Sequence, residues 1–320
     1  MYNNLNKYKH LLFTLIKFAI VLIAILFIYQ KLAQNPTASL SQLKEQLVLA
    51  FGTNLWYLLF ILLLTDFNLI FEFLKWQKLV AVIKKITFLE SYEQCLASLT
   101  ASIITPNRIG EYGVKAIYFS KNERKKILFL NLIGNLMQMF VTVLFGIIGM
   151  RYFRNYFDTS IPFLNYELWL YLAIFLFVLF LFRKKIGLIK IGRFYIDKIA
   201  LFIKKIDSKT IYTIFGYSLL RYIIFSHQFY FLLLLFNVEA SYFTLIFLIF
   251  CMYFLASIIP SIALFDWAIK GSVALYVFSF SSVSELTIIF VTTLMWILNV
   301  AIPALIGSVF VLNFKLNKEV

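Results

Sequence analysis

The chain has 320 residues, of which 62% are hydrophobic and only 14% are charged, whereas a soluble domain carries about a quarter charged residues. Its net charge of +15 comes from short basic blocks between long apolar runs, a pattern typical of cytoplasmic loops that face anionic lipid. These features exclude a soluble globular protein, argue against nucleic acid as a partner, and predict one polytopic, all-α membrane domain over residues 1–320.

Apolar runs of about 20 residues are long enough to cross a bilayer as a helix. Six uninterrupted runs predict full transmembrane helices: Leu11–Tyr29, Leu47–Phe71, Ile127–Met150, Tyr166–Phe182, Ile211–Phe236 and Leu286–Asn313. No small-residue cleavage site follows the first run, so we expect a retained helix and not a signal peptide. Two further runs, Tyr92–Phe119 and Tyr242–Phe280, are broken by Pro106 and Pro260.

The basic blocks indicate how the two broken runs meet the membrane. If all eight runs crossed once, Lys121–Lys126 and the loop Arg183–Lys209 would face outward, against the positive-inside rule. If each broken run returns to the side it came from, most of the 30 Lys and Arg face the cytoplasm, together with both termini. The sequence therefore favours a transmembrane helical bundle of six full helices and two re-entrant hairpins.

With this topology each half of the chain reads span, span, hairpin, span, and the second half is upside down. The predicted halves are residues 1–165 and 166–320. The hairpins also match by residue class, since EYGVKA at 111–116 corresponds to DWAIKG at 266–271. Such inverted-topology repeats are the architecture in which transporters place a substrate site near the membrane midplane, at broken helices.

A proline in a membrane helix breaks it and exposes a half-helix N-terminus, where an anion such as a phosphate can bind. Arg108 follows Pro106 by two residues and can bind phosphate bidentately. The sequence offers Arg108 no obvious local partner, because Glu111 and Lys115 are spaced to pair with each other. The predicted substrate-binding residues are Asn107, Arg108, Glu111, Lys115, Arg221, Asp266 and Lys270, and the predicted helix breaks are Pro106, Gly110 and Pro260.

Several of these positions admit a second interpretation. The pairs Glu111–Lys115 and Asp266–Lys270 could serve only to hold the hairpins folded, and Arg221 could snorkel toward the cytoplasm instead of facing a cavity. Asn131, Asn135 and Gln138 share one face of a helix, and either line that cavity or bond between helices. Asn68 is expected near the cytoplasmic interface. Neither cysteine has metal-ligand spacing, and no cofactor is expected.

The first broken run carries a recognisable motif. TPNRIGE at 105–111, with Lys115 after it, resembles the TPxRxGE signature of the lysylphosphatidylglycerol synthase transmembrane-region family, also called flippase-like. PSIALFD at 260–266 keeps the proline and the acid of the second motif but lacks its paired glycines, and Asn107 stands where a glycine is usual. The resemblance covers nearly the whole chain. It carries over Pro106, Arg108, Gly110 and Glu111 for the first motif, and Pro260 and Asp266 for the second.

The resemblance implies a membrane domain that moves an anionic or aminoacylated phospholipid, or a related lipid-linked substrate, between leaflets. Some members are fused to a soluble domain that transfers lysine to phosphatidylglycerol, and this chain has no room for one. We therefore expect a flippase half standing alone in the bacterial cytoplasmic membrane, and not an enzyme. Two alternatives are a membrane component related to phosphatidylglycerol lysyltransferase, and a scaffold that partners a soluble enzyme of an envelope glycosyltransferase pathway. The lipid and the oligomeric state stay open.

Overall fold

A computed structural model describes residues 55–157 except 104, 106 and 107, and residues 205–314 except 260–265 and 282. Isolated residues outside these ranges are Leu15, Leu22, Val48 and Phe202, and only the backbone of Asp266 is described. The predicted spans Leu11–Tyr29 and Tyr166–Phe182 lie outside the described residues, as do the predicted helix breakers Pro106 and Pro260.

All regular secondary structure in these ranges is helical. The helices are α1 (Leu55–Val80), α2 (Phe88–Ile103), α3 (Ile109–Ile117), α4 (Arg124–Phe157), α5 (Ser208–Leu235), α6 (Tyr242–Ile258), α7 (Asp266–Phe278), α8 (Glu285–Trp296) and α9 (Ile302–Asn313). A π-helical turn, Ile297–Ala301, joins α8 to α9. Four stretches are long and apolar enough to cross a membrane, namely α1, α4, α5 and the continuous α8–α9. They correspond to the four predicted full spans within the described residues.

The predicted end of the second span at Phe71 is wrong, because α1 continues for nine more residues to Val80. Glu72 and Lys75 follow the predicted span and lie one turn apart on the helix, with 2.7 Å between a Glu72 carboxylate oxygen and the Lys75 ammonium nitrogen. Apolar residues continue around them, and Phe73 and Trp76 are both buried. An intrahelical ion pair and a continuing apolar face together keep the helix going past its first charges.

Side-chain caps set the starts of several helices. Asp207, Ser241 and Ser284 precede α5, α6 and α8, and the side chain of each accepts a hydrogen bond from a main-chain N–H three residues on. This interaction satisfies one of the four amides that the first turn of a helix leaves without a partner.

Both broken runs are split into two helices that turn back on each other. In the first, the Tyr118 hydroxyl after α3 donates to Glu93 Oε1 near the start of α2, at 3.1 Å. In the second, the start of α6 and the segment after α7 meet the same part of α4. Thr244 is hydrogen-bonded to Tyr152 at 2.9 Å, and the ring of Phe280 lies 5.0 Å from that of Phe153.

The two broken runs open toward opposite ends of α4. The first opens where α4 begins, since Phe119 accepts a hydrogen bond from the Arg124 side chain through its carbonyl oxygen. The second opens where α4 ends, at Tyr152 and Phe153. Because α4 has 34 residues, about 51 Å at 1.5 Å per residue, these two openings lie on opposite sides of the bundle.

Basic residues gather at the end where α4 begins. Ile127 at the start of α4 and Ile206 before α5 belong to one buried apolar cluster, so the segments that carry the basic blocks lie side by side. The bases at this end are Lys78, Lys84, Lys85, Lys121, Arg124, Lys125, Lys126, Lys205 and Lys209. At the opposite end, the described bases are Arg151 and Arg154. The described residues therefore show the charge asymmetry of a membrane protein.

The last helix packs tightly against the first broken run. At Gly307 of α9, an added methyl group would overlap the main chain of Leu96 in α2, and the Thr100 hydroxyl donates to the Ala304 carbonyl at 2.7 Å. Small residues let membrane helices approach this closely. Helix α9 thus fixes α2 and positions the break that follows it.

Candidate functional site

The first helix break is built around Thr105 and Gly110. The Thr105 hydroxyl donates to the Ala101 carbonyl at 3.1 Å and accepts from the Gly110 amide at 2.8 Å, bridging the end of α2 and the start of α3. A side chain at position 110 would collide with the Ala101 carbonyl and the Thr105 hydroxyl, so this close approach of α3 to α2 requires glycine. Pro106 and Asn107 lie outside the described residues.

Arg108 stands at the start of α3 and has a local partner. Its backbone is left-handed, with φ 58°, and its Nη2 lies 3.2 Å from Glu111 Oε2. The expectation that Arg108 lacks such a partner is therefore wrong, because the Glu111 carboxylate has two oxygens and serves both neighbours. The Arg108 side chain is 58% exposed, whereas that of Glu111 is only 5% exposed. Arg108 is the exposed end of a buried ion-pair row.

Lys115 lies at the centre of this row and is almost completely buried. Its ammonium nitrogen is 2.9 Å from Glu111 Oε1, which confirms the predicted pair, and 2.9 Å from Asn131 Oδ1. The same nitrogen lies 3.8 Å from Glu72 Oε1 and 4.4 Å from the centre of the Trp76 ring. A buried charge needs such partners, since desolvation otherwise costs several kcal/mol.

Glu72 of α1 connects this row to α5. Its carboxylate pairs with Lys75 and with Arg221 Nη1, and the Arg221 Nε lies 3.2 Å from both the main-chain and side-chain oxygens of Asn68. Arg221 therefore faces the site and does not snorkel to the membrane surface. The polar residues of α4 also face it: Asn131 accepts from Lys115, Asn135 donates to Tyr112, and Gln138 meets Arg221.

We refer to Glu72, Lys75, Arg108, Glu111, Lys115 and Arg221 as the charge network. It links α1, α3 and α5, and a continuous series of ion pairs connects all its members. Four of these six groups are basic and two are acidic, so within the described residues the network has a formal charge of +2 at neutral pH. Such an excess of positive charge beside a helix break favours an anionic ligand.

The second helix break meets the first around the π-helical turn. Trp267, at the start of α7, packs against a small apolar cluster that contains Ile103 from the end of α2 and Ala301 from the π turn. The side chain of Asp266 lies outside the described residues, so its pairing with Lys270 stays a prediction. The end of α2 and the start of α7, which flank the two breaks, thus meet in this cluster.

The model of the family described as the lysylphosphatidylglycerol synthase transmembrane region matches residues 14–307. The chain belongs to this family. No curated protein matches the chain. The match includes both helix breaks and every member of the charge network, so the candidate site lies within the part of the chain that matches the family.

A second polar chain, missed by the sequence analysis, runs through this transmembrane region. The Asn68 amide donates to Asn299 Oδ1 at 2.9 Å, the Asn299 amide donates to Gln228 Oε1 at 3.0 Å, and Gln228 donates to the Thr65 hydroxyl at 2.7 Å. Asn299 belongs to the π turn, and π turns are frequent at functional sites. Asn68 is therefore buried within the bundle, where its amide joins this turn to Arg221.

The two cysteines, Cys95 and Cys251, are both buried and are not joined in a disulfide. Within the described ranges, no group of three His, Cys, Asp or Glu side chains is placed to hold a metal ion. The chemistry that the site offers is that of fixed charges and hydrogen-bonding groups.

Proposed function

We propose that this membrane domain is a lipid flippase, which moves the headgroup of an anionic or aminoacylated phospholipid between leaflets while the acyl chains stay in the bilayer. The observation that carries the proposal is the charge network, whose three other bases and two acids are buried or partly buried behind the exposed Arg108. Charged groups within a membrane domain are costly to insert and mark the pathways of polar substrates.

In this proposal Arg108 makes the first contact with the lipid phosphate. Its guanidinium is the exposed end of the network and lies at a helix start, where main-chain amides also favour an anion. When a phosphate pairs with Arg108 in place of Glu111, the Glu111 carboxylate keeps its ion pair with Lys115, 2.9 Å away. The buried acid therefore retains a partner. The same carboxylate could then receive the ammonium of an aminoacylated headgroup.

We further propose that the two broken runs are re-entrant hairpins and that residues 1–165 and 166–320 form an inverted-topology repeat. Two observations support this arrangement. The broken runs open toward opposite ends of α4, and residues that flank their breaks, Ile103 and Trp267, meet beside the π turn. Asp266 and Lys270 would then be the second-half counterparts of Glu111 and Lys115, and Pro260 the counterpart of Pro106.

The charge asymmetry of the bundle supports an orientation in the membrane. We propose that the basic end faces the cytoplasm of a bacterial cell, that both termini lie on that side, and that the membrane is the cytoplasmic membrane. The partner in this proposal is a membrane phospholipid, and a soluble enzyme that charges or uses this lipid is a second partner. The domain itself transports the lipid and does not catalyse lysyl transfer.

Arg108→Gln in proteoliposomes tests the proposal. The purified chain is reconstituted with fluorescently labelled phosphatidylglycerol, and dithionite quenching follows the movement of the label between leaflets. A charged hydrogen bond to phosphate contributes about 1.5–3 kcal/mol, so we expect a transport rate lower by roughly 10- to 100-fold. Lys84→Gln, at an exposed position of the basic end, is the matched control and should transport normally.

Equal rates for Arg108→Gln and the native chain would remove Arg108 from the pathway. A native chain that moves no labelled lipid would refute the flippase proposal. Lysyl-phosphatidylglycerol formed by the purified chain from charged tRNA would favour the lysyltransferase alternative. Full activity of the isolated chain would count against an accessory scaffold.

A further inference from the structure

A row of buried hydroxyl groups runs along α5. Ser218, Tyr222 and Ser226 are spaced by four residues and so share one face of the helix, and Tyr253 of α6 faces them, with its ring 6.3 Å from that of Tyr222. All four hydroxyl oxygens are buried and have no hydrogen-bond partner in the described part of the chain. The Tyr222 and Ser226 hydroxyls are neighbours but do not reach hydrogen-bond geometry. We call these four side chains the hydroxyl row.

Such a row is unusual because nearly all buried polar groups in folded proteins are hydrogen-bonded. Serines in helices can bond to their own main chain, and several in this protein do so. Ser98, Ser257 and Ser308 each donate to a carbonyl three residues back, at 2.6–2.8 Å. Ser218 and Ser226 are equally helical and fully buried, yet they do not. Local helix geometry therefore does not account for the row.

The hydroxyl row begins beside the charge network. Gln138 donates to the Ser218 carbonyl at 3.3 Å, and its side-chain oxygen accepts from Arg221 at 3.4 Å. Because α5 starts at the basic end of the bundle, Ser226 lies eight residues farther from that end than Ser218. At 1.5 Å per residue, the row extends about 12 Å toward the opposite membrane surface.

Aromatic side chains close the far end of the row. Phe229, one turn beyond Ser226, is 1% exposed and stacks on Phe278 of α7 with ring centres 5.9 Å apart. Its ring also lies 6.1 Å from that of Tyr253. Helices α6 and α7 are the two limbs of the second broken run, so a movement of this run away from α5 would uncover the row from the far side.

We propose that the hydroxyl row is the far half of the substrate path, closed in this structure and opened when α6 and α7 move away from α5. Its ligand is the hydrogen-bonding part of a lipid headgroup, above all headgroup hydroxyls, which give the four orphan hydroxyls their partners. This inference rests on the flippase proposal and extends it, since it assigns the route by which a headgroup leaves the charge network.

Thiol accessibility tests the opening without depending on transport. In a background with Cys95→Ala and Cys251→Ala, a thiol is introduced by Ser226→Cys or, as a control, by Leu232→Cys on the same helix. Both native side chains are fully buried. A charged, membrane-impermeant thiol reagent is added from the non-basic side. We expect it to modify the thiol of Ser226→Cys at least tenfold faster than the thiol of Leu232→Cys. Equal rates at the two positions would overturn the proposal.

Transport by hydroxyl-deletion variants tests the role of the row. Tyr222→Phe and Tyr253→Phe remove only an oxygen, and we expect each to slow movement of labelled phosphatidylglycerol at least fivefold without lowering the unfolding temperature, because no hydrogen bond is lost. Tyr152→Phe is the control, since its hydroxyl is bonded to Thr244 away from the row. It should unfold at a lower temperature and transport normally. Unchanged transport by both row variants would overturn the proposal.

The headgroup class is tested with labelled phosphatidylpropanol, which has the same charge as phosphatidylglycerol but no headgroup hydroxyls. The row variants should slow this lipid less than they slow phosphatidylglycerol, and equal slowing would refute pairing with headgroup hydroxyls. If the native chain moves neither lipid, the flippase proposal fails. The thiol comparison then decides on its own whether the row opens.

Discussion

Lys115→Met tests whether the charge network stabilises the fold. Methionine keeps most of the apolar volume of the lysine side chain, so the change removes the charge without opening a large cavity. The Lys115 ammonium is 2% exposed and lies 2.9 Å from both Glu111 Oε1 and Asn131 Oδ1. Its removal leaves Glu111 buried, with the exposed Arg108 as its remaining ion-pair partner among the described residues.

The expected loss follows from this geometry. Removing one partner of a buried ion pair typically costs about 3–5 kcal/mol, because the other charge stays buried and uncompensated. The contact with the Trp76 ring adds up to about 2 kcal/mol to the loss, and part of it is recovered by the apolar contacts of methionine. We therefore expect Lys115→Met to lower the free energy of unfolding by roughly 3–5 kcal/mol.

Titration with dodecyl sulfate in mixed micelles measures this free energy through the loss of helical circular dichroism. The double variant Glu111→Gln/Lys115→Met should recover most of the stability, since replacing both partners of a buried pair is often nearly neutral. Lys84→Met, at an exposed position, should change it by less than about 0.5 kcal/mol. A loss below about 1 kcal/mol for Lys115→Met, or a double variant less stable than the single one, would refute the reasoning.

Two further predictions concern packing and pH. Gly307→Ala should lower the free energy of unfolding by about 1–3 kcal/mol in the same titration, because the added methyl group overlaps the main chain of α2. An unchanged free energy of unfolding would contradict the close approach of α9 to α2. Hydrogen bonds from Thr210, helped by the nearby Lys78, hold the pKa of Asp207 below its ordinary value. This cap therefore stabilises α5 above about pH 4, and the stabilisation is lost as the pH falls through the lowered pKa. In Asp207→Asn the asparagine caps the helix at any pH, so this variant should lack the acid-dependent part of the stability. Equal acid sensitivity of the native chain and the variant would refute this prediction.

The parts of the site that the sequence predicted depend on short spacings. Glu111 and Lys115 are four residues apart, which on a helix places them on one face, and the structure confirms their pair. Gly110 lies within a recognisable motif next to a proline. Apolar runs likewise located the two broken segments, because run length and interruption are properties of the sequence itself.

The rest of the charge network could not be predicted because it depends on distant parts of the chain. Glu72 meets Arg221 across 149 residues, and Asn68 meets Asn299 across 231. Such contacts depend on how the helices pack, which a single sequence does not specify. Glu72 and Lys75 were not among the predicted site residues, since charged residues after an apolar run resemble a loop, although Phe73 and Trp76 continue the helical pattern.

The distribution of charges among the helices has a consequence for biogenesis. Glu72 and Lys75 neutralise each other within α1, and Glu111 and Lys115 do so within α3, so each segment can leave the translocon as a nearly neutral unit. Arg221 has no acidic residue on its own helix, and an arginine at the centre of a span costs about 2.5–3.5 kcal/mol on insertion. Its partner Glu72 precedes it in the chain, so the carboxylate that compensates Arg221 is already synthesised when α5 is made.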